Sequence, residues 1–294
     1  MSVKVAFIGL GVMGYPMAGH LQQAGLQVTV YNRTTTKAQR WAQEYQGAFA
    51  ATPKEAVTDA ELVFMCVGND DDLRSVVYGD NGVLAGMKPD TVLIDHTTTS
   101  AKVAREVAQR AAEQNVAFLD APVSGGQAGA ENGVLTVMVG GEPEVFERVQ
   151  PVMAAFSRFS QLLGEVGSGQ LCKMVNQICI AGVVQGLAEG LHFAKQAGLD
   201  GEKVVETIAK GAAGSWQMEN RYKTMLAGEY DFGFAVDWMR KDLGIALDEA
   251  RSNGSSLSLT AMVDQYYADV QALGGGRFDT SSLLARLDAI HDKK

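Results

Sequence analysis

Hydrophobic and polar positions along the first half of the chain follow two alternating patterns. Short apolar runs recur at intervals, and the stretches between them repeat with a helical period. The apolar runs predict strands at residues 3–10, 27–32, 62–67, 91–97, 116–120 and 135–141. The stretches between them predict helices at residues 13–24, 35–45, 100–114 and 143–156. Strands that alternate with helices are typical of a parallel sheet covered on both faces, so we predict an α/β domain over residues 1–164.

The second half of the chain shows only helical periodicity. A Gly-Ser-Gly turn at residues 167–169, with Ser168 as the expected N-cap, opens a run that is apolar on most faces and continues to Lys195. Further helices are predicted at residues 201–210, 217–226, 235–251 and 257–273, with glycine-rich joints between them. We therefore predict an all-α C-terminal domain over residues 165–294 that begins with a long interdomain helix.

Composition excludes several classes of function. The chain has 294 residues and a net charge of −9, which argues against nucleic acid and anionic membranes as partners. No apolar run is expected to approach a membrane span of about 20 residues. The first eight residues form a strand pattern rather than a secretory signal. Three cysteines without paired spacing favour a reducing, cytoplasmic location, and the acidic run at residues 70–72 is interpreted as a solvated helix start rather than a metal site.

A glycine-rich turn follows the first predicted strand and precedes the first helix. It has the sequence Gly9-Leu10-Gly11-Val12-Met13-Gly14. In this context the glycines let backbone N–H groups approach a pyrophosphate, and the helix N-terminus favours its charge. We predict a Rossmann-type dinucleotide-binding domain; a glycine-rich packing turn is the alternative.

The second predicted strand ends in Asn32-Arg33-Thr34 and lacks the acidic residue that would bind the adenosine ribose 2′-hydroxyl. Arg33 can pair with a phosphate, while Asn32 and Thr34 can donate hydrogen bonds. NADP(H) is therefore favoured as cofactor and NAD(H) remains possible. The alternative is that Arg33 is a solvated loop residue.

Other predicted strands end in residues suited to a ligand. Cys66 and Val67 are expected to wall the nicotinamide ribose with their backbone. His96 borders this region, but we assign it no part in the chemistry. The turn Ser124-Gly125-Gly126 offers successive N–H groups and a hydroxyl, which suits a small carboxylate; a tight structural turn is the alternative.

Lys173 and Asn176 interrupt the apolar surface of the long helix and share one face, with Gln177 beside them. A lysine on a buried helix needs a reason, because burial of a charge is costly. Either Lys173 extends its amine to solvent or to a carboxylate, or it is a catalytic group at the junction of the two domains.

Four motifs occur in an order and spacing that resemble a known family. They are Phe7–Met17, Asp120–Gly126, Gly167–Gln177 and Lys241–Gly244, and the likeness covers nearly the whole chain. They closely resemble the β-hydroxyacid dehydrogenases, the family of 3-hydroxyisobutyrate dehydrogenase, tartronate semialdehyde reductase and the glyoxylate/succinic semialdehyde reductases.

The resemblance implies a role for each matching residue. Lys173 would be the catalytic acid/base and Asn176 its partner, while Ser124, Gly125 and Gly126 would hold the substrate carboxylate. Thr98 and Lys241 would contact the cofactor. Gln177 stands in place of a second asparagine and is assigned to the substrate. Phe234 is assigned to the cofactor only as an aromatic candidate for the cleft wall, not from the resemblance. Other departures are the missing proline after Met65 and the residues His96 and Thr97.

These observations predict an NAD(P)-dependent oxidoreductase that interconverts a small 3-hydroxy or 2-hydroxy acid and its semialdehyde or keto acid. The resemblance also implies a homodimer or homotetramer. Two alternatives stay open, an imine reductase on the same scaffold and a non-catalytic nucleotide-binding protein. Trp216, Phe234 and Trp238 are candidate walls of the cleft, although aromatic residues at this spacing are more often core.

Overall fold

The structure, a computed structural model, describes residues 3–291. The chain divides after Lys173 into two compact units, which are described separately below. This division falls later than the domain boundary expected after residue 164. The reason is that residues beyond that point are hydrogen-bonded to the first unit, where Asp120 accepts from the backbone N–H groups of Gly167 and Gln170.

A six-stranded parallel sheet forms the centre of the first unit, in the order β3-β2-β1-β4-β5-β6. Its strands are β1 (Lys4–Ile8), β2 (Gln27–Tyr31), β3 (Ala48–Phe49), β4 (Leu62–Met65), β5 (Val92–Asp95) and β6 (Ala117–Asp120). The strand order reverses between β1 and β4, which is the position where open α/β sheets bind ligands beyond their strand ends. The predicted Rossmann-type fold is confirmed.

Helices cover both faces of this sheet and bury two separate apolar clusters against it. They are α1 (Gly14–Gln23), α2 (Thr35–Tyr45), α3 (Pro53–Val57), α4 (Asp70–Val77), α5 (Ala101–Ala112), α6 (Gly126–Glu131) and α7 (Pro143–Met153). The four helices predicted from periodicity are present, with ends within a few residues of those expected. Helix α4 begins at Asp70, where the acidic run was interpreted as a helix start. Helices α3 and α6 were not predicted, because each is too short to show a periodic pattern.

A second, three-stranded sheet follows, in the order β7-β8-β9, with β7 (Val123–Ser124), β8 (Leu135–Val139) and β9 (Ser157–Leu162). The strand predicted at residues 135–141 is present as β8, but it pairs antiparallel with β7 and parallel with β9 instead of extending the main sheet. The chain leaves β6 and enters β7 after only Ala121 and Pro122, which is too short for a parallel crossover. Strand β9 was missed because its sequence is mostly polar and exposed.

The long helix α8 (Ser168–Gln196) begins in the first unit and continues into the second. It starts at Ser168 itself, and Asp120 is the residue that accepts hydrogen bonds from its first turn, so the expected capping by Ser168 is corrected. Among the described residues, α8 is the one helix long and apolar enough to cross a membrane, with mean hydropathy 1.4 over an 18-residue window of which 44% is buried. The expectation that no apolar run approaches a span is therefore wrong. One face of α8 packs in the core of the second unit, as in a core helix of a globular domain, whereas Val175, Val183 and Phe193 are exposed.

The second unit is helical throughout its described part, apart from one isolated bridge between Ala235 and Asp279. After α8 it contains α9 (Gly201–Ile208), α10 (Trp216–Ala227), α11 (Val236–Asn253), α12 (Ser258–Ala272), a 3₁₀ turn (Thr280–Ser282) and α13 (Leu283–His291). One apolar cluster joins these helices, which confirms the predicted all-α C-terminal part.

Candidate active site

The glycine-rich turn lies between β1 and α1, and its three glycines meet different surroundings. A Cβ on Gly9, which has φ +95°, would lie 2.3 Å from the carbonyl oxygen of Cys66. A Cβ on Gly14 would lie 2.1 Å from the oxygen of Gly9, whereas one on Gly11 would meet no atom within 4 Å. Packing therefore requires Gly9 and Gly14, while Gly11 leaves open space above the backbone, as a dinucleotide phosphate needs.

Asn32 supports this turn from the end of β2. Its Oδ1 accepts a hydrogen bond from the N–H of Leu10 at 3.0 Å, and its Nδ2 donates to the oxygen of Thr34 at 3.1 Å. The side chain of Arg33 is 89% exposed, and its guanidinium lies 3.6 Å from Asp72 Oδ1. Asn32 thus shapes the turn, and the Arg33 guanidinium is accessible to a phosphate. No acidic residue occupies the end of this strand.

The three carboxylates at the start of α4 interact with other residues of the protein. Asp70 accepts from the N–H and hydroxyl of Ser100, Asp71 lies 3.5 Å from Arg74, and Asp72 faces Arg33. Among residues 3–291, no cluster of three or more potential ligands is arranged to hold a metal ion.

The ends of β4 and β5 are joined through Val67 and Thr97. The N–H of Val67 donates to Thr97 Oγ1 at 3.0 Å, and the N–H of Thr97 donates to Asp95 Oδ1 at 2.9 Å. Cys66 contributes its backbone oxygen against Gly9, so it also belongs to this edge. Thr98 lies next to Thr97 in the same segment, and its contact with a cofactor stays a prediction.

His96 belongs to the core of the first unit. It is buried, it stacks on Phe64 with ring centroids 5.7 Å apart, and its Nδ1 lies 2.6 Å from the oxygen of Ala121. Because a carbonyl only accepts, Nδ1 carries the proton. Burial lowers the pKa of His96 to about 4, so the imidazole is neutral in the physiological range. Its position agrees with leaving it out of the chemistry.

The turn predicted to bind a carboxylate starts on β7 and enters α6. Ser124 is half-buried, and Gly125 and Gly126 have φ values of +132° and +62°. A Cβ on Gly126 would meet nothing within 4 Å, so the N–H groups there are approachable. At the other end of α6, His20 Nε2 lies 3.0 Å from the oxygen of Ala130 and ties this helix to α1. The geometry fits a small anion, and the substrate contact itself stays a prediction.

Two buried carboxylates occupy paired positions on β5 and β6, Asp95 and Asp120. Burial raises the pKa of Asp95 to about 7. Burial also raises the pKa of Asp120 to about 6, although the N–H groups of Gly167 and Gln170 donate to it at 2.7 and 2.8 Å. Sequence reasoning gave neither carboxylate a role.

Lys173 lies on α8 and is 8% exposed. One turn earlier, Gln170 is fully buried and its carboxamide binds the loop after β5, with Nε2 donating to Thr97 O at 2.7 Å and Oε1 accepting from Thr99 N at 3.0 Å. Gln170 is a residue that sequence reasoning missed. The available signal was a polar side chain three positions before Lys173 on a mostly apolar helix.

In the second unit, Asn176 and Gln177 belong to a chain of side-chain hydrogen bonds. Asn176 Nδ2 donates to Gln177 Oε1 at 2.8 Å, and Gln177 Nε2 donates to Asp242 Oδ2 at 2.6 Å. Lys241 Nζ lies 3.1 Å from the other oxygen of Asp242. Gln177 is 2% exposed and its carboxamide binds protein at both ends, so its predicted contact with substrate stays a prediction that the geometry does not favour.

The aromatic candidates of the second unit differ in their surroundings. The N–H of Phe234 donates to the buried carboxylate of Asp279 at 2.9 Å, which fixes the backbone of this predicted cofactor residue. Trp216 is largely exposed and packs on the Arg221 guanidinium, 4.8 Å from the ring centroid. Trp238 is partly exposed, with Lys241 Nζ 5.7 Å from its ring centroid.

Comparison with known proteins identifies the class. Residues 4–175 match the family model described as the NAD binding domain of 6-phosphogluconate dehydrogenase. Residues 167–287 match the family model described as NAD-binding of NADP-dependent 3-hydroxyisobutyrate dehydrogenase. The chain belongs to the β-hydroxyacid dehydrogenase family, and it is an NAD(P)-dependent oxidoreductase that acts on CH–OH groups.

Similar proteins cover the chain almost completely. An oxidoreductase of Shewanella frigidimarina is 68% identical, over 97% of this chain and 98% of its own. The 2-hydroxy-3-oxopropionate reductase of Escherichia coli is 33% identical, over 99% of both chains. The structure of Mycobacterium tuberculosis 3-hydroxyisobutyrate dehydrogenase with L-serine has a TM-score of 0.88 and 30% identity, and it covers 98% of this chain and 99% of its own.

The raised pKa of Asp95 predicts a pH-dependent stability. Its folded-state pKa of about 7 lies above 3.8, the ordinary pKa of an aspartate, so its contribution to the free energy of unfolding is fully present below about pH 4 and is lost as pH rises through 7. Asp95→Asn removes this dependence, so we expect the wild type to lose stability relative to the variant between pH 5 and pH 8, by at most about 1.4 kcal/mol per pH unit.

Urea unfolding of both proteins at the two pH values measures this difference. Asp120 titrates in both proteins and its charge also raises the pKa of Asp95, so the comparison reports the loss of Asp95 together with its interaction with Asp120. An equal difference in unfolding free energy at pH 5 and pH 8 would contradict the pKa direction.

Proposed function

We propose that the protein is an NADPH-dependent reductase of small aldehydes or keto acids that carry a carboxylate, with Lys173 as general acid. The observation that carries the proposal is a nearly buried lysine whose helix is hydrogen-bonded, through Gln170, to the strand-end loop beside the glycine-rich turn. The reverse reaction would oxidise a small 3-hydroxy or 2-hydroxy acid.

The cofactor would be held by residues of the first unit. The turn at Gly9–Gly14 suits the pyrophosphate, Arg33 and Thr34 suit a ribose 2′-phosphate, and the segments at Cys66–Val67 and Thr98 suit the nicotinamide ribose. NADPH supplies a hydride when bound. Phe234 and Lys241 would add contacts from the second unit.

The substrate would be oriented by its carboxylate on Ser124, Gly125 and Gly126, whose N–H groups favour an anion. Lys173 donates a proton from Nζ to the substrate oxygen, and in the oxidative direction Nζ takes that proton back. Asn176, one turn beyond Lys173 on the same helix, would orient the reacting oxygen, and Gln177 holds the Asn176 carboxamide.

Two features support this proposal over its alternatives. Lys173 provides a proton donor that a nucleotide sensor does not need. It is also a group that, according to the family resemblance, the imine reductases typically lack. We further propose that the protein works in the cytoplasm, in keeping with its three free cysteines. A homodimer or homotetramer is proposed from the family resemblance alone.

A substrate panel tests the proposed class. We expect reduction of glyoxylate, succinic semialdehyde or tartronate semialdehyde with NADPH, and oxidation of 3-hydroxyisobutyrate or serine with NADP⁺, because each carries the carboxylate. Propanal should react much more slowly, since each lost charge-assisted hydrogen bond costs about 1.5–3 kcal/mol. Propanal turnover equal to that of succinic semialdehyde would refute the carboxylate site, and turnover of cyclic imines alone would favour the imine reductase.

The role of Lys173 is tested by substitution. Lys173→Ala should lower kcat by at least about 100-fold, because general acid–base groups contribute about 10²–10⁴-fold. Lys173→Arg should also be poor, since a guanidinium does not release its proton. The dissociation constant of NADPH, measured by fluorescence titration, should change little in both variants. Normal turnover of Lys173→Ala would exclude the mechanism, and parallel loss of NADPH binding would assign Lys173 to the cofactor site.

Cofactor preference is tested at Arg33. The exposed guanidinium can pair with a 2′-phosphate, so Arg33→Asp should raise KM for NADPH at least about tenfold and spare the use of NADH. Arg40→Asp, which changes an exposed arginine on α2, is the matched control and should leave the preference unchanged. Equal kcat/KM of the wild type with NADH and NADPH would contradict the proposal.

A further inference from the structure

The beginning of α8 is held against the ends of two strands of the first unit. The carboxylate of Asp120, at the end of β6, accepts from Gly167 and Gln170 N–H groups at 2.7 and 2.8 Å. The helix backbone also lies directly on the strand ends, because a Cβ on Gly169 would come within 2.5 Å of Met138 O and 2.6 Å of Asp120 O. The helix backbone can approach these strands closely because residue 169 has no side chain.

The side chain of Gln170 extends this attachment to a second loop. Its Nε2 donates to Thr97 O and its Oε1 accepts from Thr99 N, and all three residues are buried. One partner can only accept and the other can only donate, so the carboxamide has a single orientation. It closes the segment around Thr98 onto the helix.

Gln170 and Lys173 are three residues apart on this helix, so their side chains leave it on the same face. Rotation or sliding of the helix about Gln170 would carry Lys173 with it. The loop that Gln170 holds contains Thr98. The strand residue Asp120, which binds the N–H of Gln170, lies four residues before Ser124 in the chain. Lys173, Thr98 and the turn at Ser124 are therefore all linked to the contacts that Gln170 makes.

We propose that Gln170 is a positioning residue of the reaction: its two hydrogen bonds to the loop at residues 97–99 fix the direction from which Lys173 delivers its proton. This inference rests on the proposed function of Lys173 as general acid. A misplacement of about 1 Å can cost about 100-fold in rate even when it originates away from the reacting atoms.

The test compares two glutamines of the same helix. Gln170→Met keeps the length of the side chain and removes both loop contacts. Gln185→Met is the matched control, since Gln185 is also buried on α8 but its side chain donates to Glu189 within the helix and, among residues 3–291, has no hydrogen bond to the loop at residues 97–99. Gln170→Glu, which keeps the acceptor for Thr99 N, is the second variant if Gln170→Met does not fold. For each protein we would measure the thermal midpoint, the NADPH dissociation constant, kcat, KM and the isotope effect on kcat with NADPH deuterated at the transferred position.

We expect Gln170→Met to lower kcat about 10- to 100-fold with NADPH binding within about threefold of wild type. The isotope effect on kcat should rise, because a poorly aligned proton donor makes the chemical step rate-limiting. Gln185→Met should keep kcat within about twofold. A merely structural role would lower the amount of active enzyme and leave the isotope effect unchanged. That result, or a kcat for Gln170→Met within twofold of wild type, would overturn the inference.

A second readout needs no substrate. Acetic anhydride labelling followed by mass spectrometry reports the reactivity of Lys173 relative to Lys203, whose side chain is 80% exposed. The ratio should rise at least about threefold in Gln170→Met and stay constant in Gln185→Met; an unchanged ratio in Gln170→Met would refute the positioning role. If the wild type reduces no carboxylated aldehyde, the proposed function fails, whereas the labelling ratio still decides whether Gln170 holds Lys173.

Discussion

The contact between the Asp120 carboxylate and the first turn of α8 is the interaction on which much of the first unit depends. A buried carboxylate is costly unless it accepts hydrogen bonds, and the first N–H groups of a helix lack partners within that helix. Each group meets the need of the other, with donor–acceptor distances of 2.7 and 2.8 Å. Burial still has a larger effect on the pKa of Asp120 than these hydrogen bonds, so the pKa is raised to about 6. The same contact sets where the lysine-bearing helix starts.

Five of the six strands of the main sheet and the four longest helices that cover it could be predicted from the sequence because they depend on local signals, whereas the two-residue strand β3 and the short helices α3 and α6 could not. Apolar runs identify buried parallel strands, and the glycine-rich turn identifies the first crossover. The second sheet could not be predicted in this way. Strand β9 is half-exposed and polar, so it carries no apolar signal, and the reversal after β6 depends on which neighbour β7 finds in space. Tertiary pairing, which no local pattern encodes, decided both.

In the candidate site, too, the residue types could be read from the sequence, whereas the partners of their side chains could not. The sequence singled out Asn32, Lys173 and Gln177 by type and spacing. It could not show that Asn32 bonds to the glycine-rich turn or that Gln177 bonds to Asp242, since these partners are far apart along the chain. Gln170 was missed for this reason, because its role depends on the groups that its carboxamide nitrogen and oxygen bind. The assignment of the chemistry therefore rests on sequence motifs, and the orientation of the groups rests on the structure.

The three glycines of the cofactor turn are under different physical demands. Gly9 and Gly14 are fixed by contacts within the protein, while Gly11 faces open space. Packing therefore does not require glycine at position 11. A Cβ there would meet no protein atom and would lie only in the space open to a ligand. A lineage of this fold can consequently lose its nucleotide by one substitution and still persist as an intact, well-packed protein. Evolution of a non-catalytic protein from this fold would therefore need no compensating substitution in the apolar core.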